Sequence, residues 1–180
     1  MRKVILLPTK GEFLPIRLNG CGEMISTWTL DMVINRALNI EEQSYNLYTS
    51  AIDKVEAQEA KAFLKELADW ELEHKAKLLA IKDNPEKMKE FSGKIPKVQD
   101  LKVVNYLGDG SLTDASDYEY QKLLIYVGKR EQETYEYYDD LAKKLGDSDV
   151  GRFFARLAAE ELTHKNKIEK EYDQYVLQGD

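Results

Sequence analysis

The chain contains two histidines, and each closes a Glu-x-x-His motif, Glu71 with His74 and Glu161 with His164. Residues three apart on a helix project from one face about a turn apart, so each pair can grip a single site. A shift of 90 residues superposes the two motifs and also lays Glu41 on Glu131, Tyr45 on Tyr135 and Tyr48 on Tyr138. The chain is therefore an internal duplication, each half carrying Glu-x-x-x-Tyr-x-x-Tyr and then Glu-x-x-His. Four glutamates and two neutral imidazoles form a mixed donor set for metal. Such a set suits iron or manganese better than calcium, which takes oxygen alone, or structural zinc, which favours thiolates and histidines. Two divalent ions would balance the four carboxylates.

Four helices must position these groups. From Thr29, a plausible N-cap, Leu30, Ile34, Leu38, Tyr45, Tyr48 and Ile52 recur at helical spacing. A second run carries Phe63, Leu64, Leu67, Leu78 and Ile81 until Asn84-Pro85, where proline stops it. Ser116 with Glu119 forms a capping box that opens a third helix, and Gly146 ends it. After Asp147 or Ser148 as cap, Val150, Phe153, Phe154, Leu157, Ile168 and Tyr172 mark a fourth. The midpoint between Glu131 and Glu161 is Gly146, so that hairpin turns halfway between its two glutamates and sets them at one height. The repeat places the matching turn of the first half near Glu56. Residues 83–116 form a long crossover with a short helix expected at Pro85–Phe91, and residues 1–23 read as a hairpin-like arm. The expected organisation is an N-terminal arm (1–28) and an all-α four-helix bundle (29–180), two helical hairpins joined by one crossover.

The four glutamates share the apolar seam. Glu41 falls between Leu38 and Tyr45, Glu71 between Leu67 and Leu78, Glu131 between Val127 and Tyr135, and Glu161 between Leu157 and Ile168. Uncompensated buried carboxylates are costly or take up protons, so a cation is expected among them. Tyr45, Tyr48, Tyr135 and Tyr138 read as core packing rather than redox groups, with a hydroxyl in reach of a ligand carboxylate. Glu42, Glu73, Glu133 and Glu160 read as the solvated face. Gly128, one turn before Glu131, reads as a close-packing position, the rival being an access channel for an organic substrate.

Composition narrows the partners. A formal net charge of -7 offers no surface for nucleic acid. Cys21, the only cysteine, excludes an internal disulfide or a thiolate metal site. The apolar run Val4–Leu7 is far too short for a signal peptide or a membrane span, so a soluble, cytoplasmic protein is expected.

On Glu41, Glu71-x-x-His74, Glu131 and Glu161-x-x-His164, the chain resembles the ferritin-like di-iron carboxylate proteins, and among them the rubrerythrin-like group, over about residues 29–177. The resemblance implies two iron ions, with manganese the alternative, bridged by Glu71 and Glu161. Glu41 and Glu131 would be terminal ligands, His74 and His164 would complete the coordination, and Tyr48 would be the tyrosine behind a ligand. It further implies reduction of hydrogen peroxide or dioxygen in defence against oxidative stress. Rubrerythrins proper also carry a rubredoxin module with paired cysteines, absent here, so electrons would come from an external donor such as a rubredoxin-like protein. They carry a further glutamate where this chain has Thr134, which weakens the expectation of a peroxide-driven ligand switch. The alternatives are an iron-binding or ferroxidase-type protein without turnover, and a di-iron oxygenase. A homo-oligomer is left open.

Overall fold

The helical spacing that starts after Thr29 is α1 (Leu30–Ile52) in the computed structural model, which describes residues 30–108 and 120–178. The expected arm with Cys21, the cap at Thr29 and the capping box of Ser116 and Glu119 lie outside the described residues. α1 packs against α2 (Gln58–Asp83), and the turn between them contains Glu56, where the repeat places it. Asn84 closes α2 with its N–H on Ala80 O at 3.0 Å, and Pro85 follows. The short helix expected beyond it is α3 (Lys87–Phe91). A 3-10 turn (Val103–Tyr106) precedes α4 (Tyr120–Leu145), which packs along α5 (Asp149–Gln178). The architecture is an all-α, ferritin-like four-helix bundle of two hairpins.

The second hairpin turns within three residues. Gly146 adopts φ +60°, the left-handed conformation that a Cβ disfavours, and its N–H bonds Ala142 O at 2.9 Å. Ser148 is the cap of α5, its Oγ accepting the Gly151 N–H at 3.0 Å. Gly151 has to be small, because a Cβ there would sit 2.0 Å from Gly146 O.

Two apolar clusters fill the bundle, one toward each end. Val33, Ile34, Leu78, Ile81, Tyr138, Leu141, Phe153 and Phe154 form one, and Tyr48, Leu64, Leu67, Leu123, Leu124, Val127 and Ile168 form the other. Each fully buried aliphatic or aromatic side chain contributes about 1.5–3 kcal/mol of transfer free energy. Between these two clusters, at mid-height on all four helices, lie the glutamates and histidines of the two motifs.

The crossover is pinned to α5 by polar groups. Asn166 donates to Gln99 O at 2.7 Å and accepts the Leu101 N–H at 3.1 Å, and Glu169 accepts the Val104 N–H at 2.9 Å. Lys165, wholly buried, pairs with Asp100 and lies 3.2 Å from Glu169. Val104 then drops onto Gly128 of α4, where an added Cβ would come within 2.6 Å of Val104 Cγ1. Gly128 is thus a close-packing position, filled by the crossover.

Candidate metal centre

Glu41, Glu71, His74, Glu131, Glu161 and His164 come from four different helices, and none is more than 7% exposed. Helical periodicity turns each inward, and the matched hairpin turns set them at one level. Their donor atoms converge in two overlapping groups of four, Glu41, Glu71, His74 and Glu161 in one and Glu71, Glu131, Glu161 and His164 in the other, with atoms within 4.8 Å of one another, while Glu161 also gathers both histidines in a smaller third group. Glu71 and Glu161 belong to both. They stand where carboxylates shared by two ions would stand, with one glutamate and one histidine to either side.

Both histidines turn Nδ1 toward the cluster. His74 Nδ1 lies 2.9 Å from Glu161 Oε1 and 3.3 Å from Glu41 Oε2, and His164 Nδ1 lies 3.5 Å from Glu161 Oε2 and 3.9 Å from Glu131 Oε2. The rings stack at 5.1 Å between centroids. Glu131 Oε2, both oxygens of Glu161 and His164 Nδ1 are buried without a well-directed hydrogen bond, their close approaches to one another and to His74 being poorly aligned. Orphaned polar atoms of this kind are expensive in a protein interior. Four donor atoms without a well-directed hydrogen bond, inside a ring of carboxylates and imidazoles, fit a pair of divalent cations.

Electrostatics point the same way. Burial first, then the Glu131 charge, pushes the Glu71 carboxyl well above the usual range, and burial with the Glu161 charge does the same to Glu131. Glu161 is also raised by burial. Burial likewise opposes ionisation of Glu41, yet its hydrogen bonds to Glu71 and His74 hold it low. For His74, burial favours the neutral ring but is outweighed by the Glu161 carboxylate, so its proton is held tightly. Burial and the neighbouring His74 charge lower His164 to about 4. The cluster retains protons in place of the positive charge that metal would supply.

The four tyrosines divide into two pairs. Tyr45 and Tyr135 are half-buried and pack against the apolar clusters. Tyr48 and Tyr138 are fully buried and donate across the bundle, Tyr48 to Glu131 Oε1 and Tyr138 to Glu41 Oε1. Thr134 is buried, with its Oγ1 bonded back to Arg130 O at 3.2 Å.

Glu42, Glu73 and Glu133 lie on the wet face as expected, but Glu160 does not. Its Oε2 sits 3.3 Å from His74 Nε2, and Lys77 and Arg156 hold it at 2.7 and 3.0 Å. Those partners outweigh its burial and keep it ionised. Sequence reasoning missed this residue because helical spacing puts it one position off the seam, and its partners His74 and Lys77 come from α2. The buried Lys165 and Glu169 were missed for a similar reason, since their partners Asp100 and Val104 lie on the crossover.

Among the described residues, no helix is long and apolar enough to cross a membrane. No curated protein and no solved structure matches the chain. The rubrerythrin family matches residues 32–172, a span that includes all six converging side chains. With that match across most of its length, laid over a buried carboxylate and histidine cluster, the chain belongs to the rubrerythrin family.

Proposed function

We propose that the chain holds two iron ions, with manganese the alternative, among Glu41, Glu71, His74, Glu131, Glu161 and His164. It uses them to reduce hydrogen peroxide or dioxygen with electrons from an external donor such as a rubredoxin-like protein. The observation that carries this reading is the pair of overlapping donor groups sharing Glu71 and Glu161, four of whose atoms make no well-directed hydrogen bond. When bound, the ions would supply the electrons for the oxidant and Lewis-acid stabilisation of its charge.

The chain's own residues prepare that chemistry. Glu71 and Glu161 draw the two halves together, the Tyr48 and Tyr138 hydroxyls fix the rotamers of Glu131 and Glu41, and Glu160 fixes the His74 ring. The apolar clusters at either end keep bulk water from the carboxylates, which strengthens every charge interaction inside. Six side chains for two ions leave coordination positions free for a small oxidant.

The test is metal analysis of protein purified without added metal, then anaerobic reduction and separate exposure to peroxide and to dioxygen. Two irons per chain and faster oxidation by peroxide are expected. Peroxide acting no faster than dioxygen would overturn the peroxidase reading and favour iron binding with ferroxidase activity, to which the missing carboxylate at Thr134 already leans. An organic-substrate oxygenase has less support, because Val104 occupies the space that Gly128 would have opened.

A further inference from the structure

The two Glu-x-x-His helices match at their donor positions but differ at the residue before each shared glutamate, which is Trp70 on α2 and Glu160 on α5. Those two positions are equivalent under the 90-residue repeat, and each reaches the histidine of the opposite helix. Glu160 meets the edge of His74 that faces away from the cluster, at Nε2, and is anchored there by Lys77 and Arg156. Trp70 instead lies flat on His164, with centroids 4.2 Å apart and 11° between the planes, and the Lys167 ammonium is 4.7 Å from the indole centroid. Among the described residues, the carboxylate contacts of His164 are all made by Nδ1.

These supports have different chemical effects. An imidazole whose outer N–H donates to an ionised carboxylate is locked in one tautomer and becomes a stronger donor through its other nitrogen. Such partners typically change metal affinity 10–100-fold. A stacked indole fixes the ring plane but adds no negative charge. Lys77 shares Glu160 Oε2 with the imidazole and Arg156 takes Oε1, so both oppose a nearby cation, but the group that touches the ring is the carboxylate.

We infer that the centre is built with unequal halves. The half formed by Glu41 and His74 takes up the first ion and holds it more tightly, with Glu160 as the positioning residue that sets the order. The half formed by Glu131 and His164 fills second. This inference rests on the two-metal reading above and adds the order of filling.

Cobalt(II) is the probe, titrated calorimetrically into the full metal-free chain in alkaline buffer, where a proton on His74 competes least, with paramagnetic proton NMR at one equivalent. Two steps separated by about tenfold or more in affinity are expected, and at one equivalent a shifted His74 Nε2–H resonance that exchanges slowly with solvent. Glu160→Gln should weaken the first step by about tenfold, leave the second in place and speed exchange of that proton. Trp70→Glu should tighten the second step and narrow the gap. If circular dichroism shows that Trp70→Glu is unfolded, Glu160→Gln decides alone. Native steps of equal affinity, or a Glu160→Gln first step equal to the native one, would overturn the inference while leaving the two-metal reading intact. A chain that bound no cobalt would overturn both.

Discussion

The Tyr48 hydroxyl on α1 donates to the Glu131 carboxylate on α4, tying one hairpin to the other at the level of the cluster. Tyr138 and Glu41 make the same bond in the opposite direction, as the repeat requires. Each tyrosine thus serves the glutamate of the half that did not supply it. Removing either hydroxyl frees one terminal carboxylate to rotate. Tyr48→Phe is expected to weaken the ion beside Glu131 by about tenfold and spare the other, and Tyr138→Phe to do the reverse. Metal titration of both variants checks this, and equal weakening of both ions in either variant would contradict it.

Glu71 and Glu161 belong to both donor groups, whereas Glu41 belongs to one. Glu71→Ala and Glu161→Ala are each expected to abolish binding of both ions, while Glu41→Ala loosens one. Stoichiometry after dialysis is the readout. Folding damage can be separated from metal loss with Glu71→Gln, because removing a buried carboxylate among like charges relieves repulsion in the metal-free chain. That variant should unfold at the native denaturant concentration or above it, yet hold neither ion tightly. Two tightly held ions in either alanine variant would mean that the glutamate removed in it is not shared.

The dependence on pH follows from the direction of each shift. Glu71, Glu131, Glu161 and His74 have raised values in the fold. Each therefore contributes stability that is complete below its ordinary value and is lost as pH rises through its folded value. Metal must displace those protons, so its affinity should climb with pH, about tenfold per unit for each proton released. His164, lowered to about 4, is already neutral near pH 7 and releases none there. The rise in Tm on adding metal should be larger at pH 8 than at pH 6, with net proton release in weakly buffered solution. A metal-induced rise that shrinks with pH would contradict the assignment.

The crossover offers a test independent of metal. Gly128→Ala gains about 1 kcal/mol of helix propensity, but its methyl meets Val104, a β-branched side chain with little freedom to move aside. Overpacking of this kind costs about 1–3 kcal/mol, so a net loss of about 1 kcal/mol is expected. Val104→Ala in the same chain should restore most of it. Urea denaturation of the metal-free single and double variants measures both. A Gly128→Ala chain more stable than the native one would show that the contact is slack.

The convergence was legible because two independent periodicities agree. The spacing of three within Glu71-x-x-His74 selects a helix face, and the 90-residue repeat with the turn at Gly146 selects a height. Neither depends on long-range contacts. What depends on them stayed hidden, and the repeat itself can mislead. Leu79 and Glu169 are equivalent by sequence, yet Leu79 is 48% exposed and Glu169 is buried, because the crossover lies over α5. The buried polar residue of this pair is the one that a hydrophobic pattern assigns to solvent. Glu160 is a milder case, half-buried only because His74 and Lys77 of α2 meet it across the bundle.

Thr134 is the residue through which the choice of oxidant can be tested. It lies one turn beyond Glu131, is buried, and spends its hydroxyl on the Arg130 carbonyl of its own helix, so it offers the cluster no charge. A glutamate there would stand where rubrerythrins carry their additional carboxylate. Thr134→Glu adds a fifth acid to a cluster that already retains protons, and the metal-free variant should lose stability as pH rises above the ordinary carboxylate range. With metal bound, that carboxylate gains a positive partner, so the variant's metal-induced Tm increase should exceed that of the native chain. If it reaches the ions, it also supplies the negative charge that favours their oxidised state. The rate of oxidation by peroxide should then rise relative to the rate with dioxygen. Stopped-flow mixing of the reduced protein with each oxidant measures the ratio. A ratio equal to that of the native chain, together with a larger metal-induced Tm increase, would show that the new carboxylate reaches the ions without governing the choice of oxidant.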